Sequence, residues 1–273
     1  MVNPQMVMYE EEFNQIQTVV DRLVKDANAR VVFIVDKNGQ LIAAGGDSEN
    51  VDTTSLASLT PPMRWLLERA APDEPALALL NPQHTLEQLY LTWMSSEQVI
   101  SAIRLIAAVL PTRESIWWAW VSARYATQME GGKAPSAKEH ATLAAVEQWI
   151  VRPDDAARRA AWQAGETSGL DSPIGLVSMA VFLSGTTIAP ASVPPVPPPP
   201  GVAMPIVAGA IQLAAVSNAK PELIPPTLVS FAAQGLEIVK RLGGWDAALQ
   251  LAYDTHRRQL AEYEQAINPP APR

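Results

Sequence analysis

Strand-forming sequence occurs at one place in this chain of 273 residues, and nearly everything after Pro61 reads as helix. Arg30-Val31-Val32-Phe33-Ile34-Val35 is β-branched and aromatic, too short for a helix and typical of a buried strand. Asp36-Lys37-Asn38-Gly39 carries Asn-Gly at its tip, the strongest short hairpin signal. Gln40 to Ala44 returns as the second strand, and Gly45-Gly46-Asp47 closes it. A single hairpin builds neither a sandwich nor a doubly wound sheet. The fold class predicted is therefore mainly α: a multi-helix bundle preceded by a helix and a β-hairpin (αββ).

Ahead of the hairpin, Glu10 to Ala27 has Phe13, Ile16, Val20, Leu23, Val24 and Ala27 at three- and four-residue steps, one apolar stripe of an amphipathic helix. Glu10, Glu11 and Glu12 sit at its start, where the helix dipole favours negative charge. Asp52 or Thr53 would cap a short helix through Leu59, and Pro61-Pro62 stops it. The domain boundary falls there, giving an αββ segment over 1–60 and a helical domain over 61–273. Charge changes at the same point: residues 1–60 carry four Lys/Arg against nine Asp/Glu, and the rest is close to balanced.

Ten helices are predicted beyond the boundary, at about 62–70, 85–94, 97–109, 113–129, 136–150, 154–168, 173–184, 202–217, 226–241 and 245–266. Thr85-Leu-Glu-Gln88 and Ser136-Ala-Lys-Glu139 fit the capping-box pattern, and Gly243-Gly244 ends one helix and permits the next. From Ser172 to Ala219 no residue is charged, and Pro194 to Pro200 holds six prolines in seven positions. That tract (193–200) must run as stiff, extended polyproline. Its flanks, 173–184 and 202–217, are too short or too interrupted to span a bilayer and read as buried core helices.

Several function classes fall away on composition. With no cysteine, there are no disulfides, zinc ribbons, iron–sulfur clusters or thiol nucleophiles. A net charge of −8 without a basic cluster argues against nucleic-acid binding. The N terminus lacks the positive and apolar regions of a secretory signal. His84, His140 and His256 are isolated in sequence, with His140 and His256 reading as surface helix residues. No phosphate-binding glycine loop or nucleophile elbow occurs. The expectation is no catalytic residue, no cofactor and no metal. Asp154-Asp155 after Pro153 reads as a helix start. Trp117-Trp118-Ala119-Trp120 reads mainly as core, because adjacent helical residues point about 100° apart. The polyproline tract would dock on these tryptophans within the chain, or else serve a partner domain with an aromatic groove.

The words of the first sixty residues resemble the start of the MglB group of the roadblock family, bacterial partners of the MglA polarity GTPase. The likeness rests on Val7-Met-Tyr-Glu-Glu-Glu-Phe13, Asp21-Arg22-Leu23, Lys25-Asp-Ala-Asn-Ala29, Val31-Val-Phe33, Val35-Asp-Lys-Asn-Gly-Gln-Leu41 and Asp52-Thr-Thr-Ser-Leu-Ala-Ser-Leu59. It implies a cytoplasmic bacterial protein. A complete roadblock domain adds a second helix, three more strands and a closing helix, so the resemblance implies a truncated copy. Residues from about 62 to 245 resemble an uncharacterised all-helical bacterial domain, through Leu79-Leu-x-Pro82, Thr85-Leu-Glu-Gln88, Ala102-Ile-Arg-Leu-Ile-Ala107, Leu110-Pro-x-Arg113-Glu, Trp117-Trp-Ala119 and the polyproline tract. That domain is associated with loci of type VI secretion, and no activity attaches to it.

These readings predict a non-catalytic adaptor with a protein partner, a roadblock-family protein or small GTPase, and neither nucleic acid nor a membrane span. The alternative is an accessory of a secretion machine with a vestigial N terminus. Candidate interaction residues are Val31, Phe33, Val35 and Leu41 of the hairpin, with Trp117, Trp118, Trp120, Pro197 and Pro198.

Overall fold

A computed structural model describes residues 10–26, 31–35, 41–46, 59–190 and 192–267, except the side chains of 10–13, 31, 33, 35, 41, 44 and 46. Helix α1 (Glu10–Asp26) leads into strands β1 (Val31–Val35) and β2 (Leu41–Gly46). Eleven helices follow: α2 (Pro61–Ala70), α3 (Glu74–Leu77), α4 (Leu86–Ser95), α5 (Val99–Val109), α6 (Thr112–Gln128), α7 (Ala137–Val151), α8 (Asp155–Ser168), α9 (Pro173–Leu183), α10 (Ala203–Val216), α11 (Ile224–Arg241) and α12 (Trp245–Ile267). The mainly α architecture and the ten helices expected beyond Pro61 are all present. The sequence reading missed α3, a single turn, and a 3-10 turn at Pro221–Leu223. The Asn38-Gly39 turn and most of the helix expected before Leu59 lie outside the described residues.

Local chemistry explains most of the boundaries. Thr85 and Ser136 each accept from the backbone N–H three residues on, while Gln88 and Glu139 accept from the cap residue's own N–H, completing both capping boxes. Asp154 caps α8 through the N–H of Ala157. Gly243 and Gly244 adopt φ of 96° and 92° between α11 and α12, a region open to glycine at little steric cost.

One hydrophobic core runs from Leu59 to Ala248. Its centre is α5, where Ala102, Ile103, Leu105, Ile106 and Val109 are all fully excluded from solvent. Around it pack α2, α4, α10, α11 and α12. Each buried leucine or isoleucine contributes about 1.5–3 kcal/mol relative to exposure. Helices α9 and α10, apolar all round, lie against one another inside the bundle, flanked by α6, α7 and α8. No described helix is long and apolar enough to cross a membrane. Val20 of α1 and Ala43 of β2, both buried, lie outside this core, whereas Leu59 at the end of the 1–60 segment belongs to it.

Candidate functional site

The strands pair antiparallel, with Val31 opposite Gly46 and Ile34 opposite Ala43. Val35 then pairs with Leu41, so the register slips and Ile42 is the extra residue of a bulge. Helix α1 packs on the pair, mainly on β2. Val20 is fully buried there, and a Cβ on Gly45 would lie 2.6 Å from its Cγ1, so only glycine lets helix and strand approach this closely. Val24 shares that face, whereas Leu23 is exposed and leaves the expected stripe. Among the described residues no third strand joins the pair, and each strand has one outer row of backbone donors and acceptors. The backbones of Val31, Phe33, Val35 and Leu41 are placed in these strands; their side chains lie outside the described residues.

The three tryptophans of α6 part company. Trp118 is 1% exposed and donates its Nε1–H to the carbonyl of Phe231 at 3.0 Å. Trp120 is 7% exposed, donates to the carbonyl of Leu143 at 2.9 Å and carries the Arg124 guanidinium 5.3 Å above its ring. Trp117, at 37%, reaches solvent. Two of the candidate interaction residues are thus sealed in the core.

The loop ahead of the polyproline tract is held by two arginines of α8. Arg158, only 3% exposed, donates to the carbonyls of Phe182 and Thr187 and to Asp155, with its guanidinium 5.0 Å from the Phe182 ring centre. Arg159 donates to the carbonyl of Ala189 and to Asp155. Bonds from Arg159 and then Arg158 hold the Asp155 carboxyl below its usual range. Asp155 is therefore the bridge of this arginine pair as well as part of a helix start. Thr187 accepts from the N–H of Val196, and the N–H of Ile188 donates to the carbonyl of Val196, closing a loop onto the tract. Pro197 and Pro198 then border a groove of about 230 Å³ with Arg69, Thr112, Gln259 and Tyr263. None of the three tryptophans lines that groove or hydrogen-bonds the tract. The hydrogen bonds that order this region run instead from Arg158 and Arg159 to the carbonyls of Phe182, Thr187 and Ala189, and from Val196 to Thr187, while the indole N–H groups of Trp118 and Trp120 serve neighbouring helices.

Arg69 is half-buried, and burial pushes its pKa down to about 10. Its guanidinium lies 5.2 Å from the Trp65 ring centre and presses against Gly201, which at φ 84° leaves no room for a Cβ. The His256 Nδ1 stands 3.5 Å from Arg69 Nη1, with its ring 5.2 Å from that of Trp65. His256 is half-buried rather than a surface residue; burial and then the Arg69 charge push its pKa down. Nothing local in the sequence joins His256 to Trp65 and Arg69, 187 or more positions away. The arginine pair of α8 does leave a trace, the Asp155-x-x-Arg158-Arg159 spacing, which puts three charges on one helical face. Among the described residues no three His, Asp or Glu side chains converge as a metal site.

Two family comparisons place this geometry. Residues 15–73 match the Roadblock/LC7 domain, a stretch that takes in most of α1, the hairpin and also α2. Residues 90–239, from α4 into α11, match a family of unknown function, DUF6931. No curated protein and no solved structure gives a significant match. Because the second match covers more than half of the chain, including the loop arginines and the polyproline tract, the protein belongs to the family of unknown function DUF6931, preceded by a Roadblock/LC7 segment.

Proposed function

We propose that the protein is a non-catalytic adaptor whose αββ segment lends a strand edge to a roadblock-family protein or to the small GTPase such a protein serves. The observation that carries this reading is the pairing of a Roadblock/LC7 match with a sheet of only two strands among the described residues. An unpaired edge offers a row of main-chain hydrogen bonds, and strand addition is an established recognition mode. The helical domain, with a core of its own, would hold a second partner or position the first.

Binding of the full chain to purified MglB-like and MglA-like proteins by biolayer interferometry tests it. Gly45→Val is the matched control, since its side chain would collide with Val20 and separate α1 from β2 while leaving the helical core untouched. The full chain should bind one of the two proteins and the variant should lose at least about tenfold in affinity, the share of a single charge-free anchor or more. Absence of binding by the full chain discards the reading. Equal binding by the variant would favour the second one, an accessory of a secretion machine acting through the helical domain alone, which the separateness of the Leu59–Ala248 core supports.

A further inference from the structure

The polyproline tract is a motif that docking of the strand edge leaves without a role. Both of its ends are pinned to the chain. Thr187 Oγ1 accepts from the N–H of Val196 at 2.8 Å, and Ile188 donates to the Val196 carbonyl at 2.8 Å. Beyond it, the N–H of Val202 returns to the carbonyl of Pro199 at 3.2 Å, and Gly201 turns at φ 84° against the Arg69 guanidinium. Proline rings fix φ between these ties, so the tract has little backbone freedom left to lose on binding. Polyproline II repeats every three residues, and positions three apart share one edge. Val193, Val196 and Pro199 make such an edge and all are exposed, the two valines at 50% each. Pro194 and Pro195 are exposed as well, whereas Pro197, Pro198 and Pro200 are half-buried. Ile188, joined to Val196 by its main-chain bond, is 37% exposed and widens the apolar strip. Among the described residues nothing donates to the carbonyls of Pro194 and Pro195.

We propose that the exposed edge of the tract, Val193 to Val196 with Pro199, is a docking ligand for a partner domain with an uncharged groove lined by aromatic rings. Such a groove packs its rings on the prolines and valines, and an indole N–H or phenol O–H donates to the open carbonyls of Pro194 and Pro195. Charge selects among grooves of this kind: from Ser172 to Ala219 no residue is charged, so an acidic or basic groove would be desolvated without a counter-ion. The surface belongs to the helical domain and stands independently of whether the αββ edge docks.

A purified WW domain, a module with an aromatic groove of this type, is the probe. The full chain is titrated into the isotope-labelled domain, and the shifts of its groove resonances are followed by NMR. The double variant Val193→Asp with Val196→Asp puts charge on the exposed edge while leaving the main-chain bonds of Val196 in place. Val229→Asp, at a comparably exposed valine of α11, is the control, and circular dichroism checks that each variant is folded. The groove resonances should shift saturably with the unsubstituted chain, the double variant should lose at least about tenfold in affinity, and the control should bind as the unsubstituted chain does. The proposal is overturned by absence of groove shifts, by equal binding of the double variant, or by an equal loss in Val229→Asp. Should the double variant not fold, Pro195→Ala, which removes one exposed ring, decides alone: unchanged affinity there overturns the proposal and a loss supports it.

Discussion

Indole N–H groups are expensive to bury without an acceptor, and in α6 two of three tryptophans find one on a neighbouring helix. Trp118→Phe would remove the side-chain donor from the Phe231 carbonyl, which keeps its helical partner, and open a void beside Gly235, whose absent Cβ would sit 2.6 Å from the indole. A loss of about 2–4 kcal/mol is expected in equilibrium urea unfolding. Trp117→Phe should cost less than about 0.5 kcal/mol, as at other partly exposed positions. Similar losses in both would mean that Trp118 is not an anchor. His256 gives a second prediction at this scale. Its folded pKa lies below the ordinary 6.5, so between the two values the unfolded chain binds more protons. The contribution is therefore present above about pH 6.5 and is lost as pH falls through the folded value. His256→Gln should flatten the stability profile between about pH 7 and 5; an unaltered slope would remove His256 from the balance. The tryptophans' helical spacing was readable from sequence, but which of the three would meet solvent was not. That depends on where α7 and α11 cross α6.

At the scale of elements, the helices were legible because their ends carry their own chemistry. Capping boxes, double glycine and paired prolines act within a few residues, so no distant partner is needed to fix them. The loop from Ser184 to Gly201 is different, since its order comes from α8. Arg158→Met would strand the carbonyl of Thr187, take the side-chain donor from that of Phe182, which keeps the N–H of Gly185, and leave Asp155 with one partner fewer. The cost expected is about 3–5 kcal/mol. Amide exchange over 184–193 should rise more than elsewhere. Arg159→Met, which gives up one carbonyl at a more exposed position, should cost about 1–2 kcal/mol. If exchange in the loop stays unchanged in Arg158→Met, the tract is ordered by the prolines alone. In sequence this dependence was invisible: 184–201 is uncharged, and its arginines lie some thirty residues earlier.

For the molecule as a whole, the two family segments and the physical core divide the chain differently. The Roadblock/LC7 match ends at Asp73, yet Leu66, Leu67 and Ala70 of α2 belong to the same core as α5 and α12. Removing residues 1–58 should therefore leave the helical domain folded, with a melting temperature within a few degrees of the full chain. Removing 1–73 takes three buried apolar residues and Leu59 from that core and should abolish cooperative melting, at about 1.5–3 kcal/mol for each large side chain lost. Equal stability of the two truncations would show that α2 is dispensable to the core.

Sequence by itself determined the helical class, the single hairpin, nearly every helix boundary and the two family resemblances. Each is written in local propensity, periodicity or end chemistry, which act over one or two turns. Tertiary structure decided which tryptophans are buried, that the loop ahead of the polyproline tract is tied to α8, and that Arg69, Trp65 and His256 meet. Those outcomes rest on hydrogen bonds between residues 23 to 187 positions apart, and no local rule specifies a pairing whose strength depends on burial and on which donors are already satisfied.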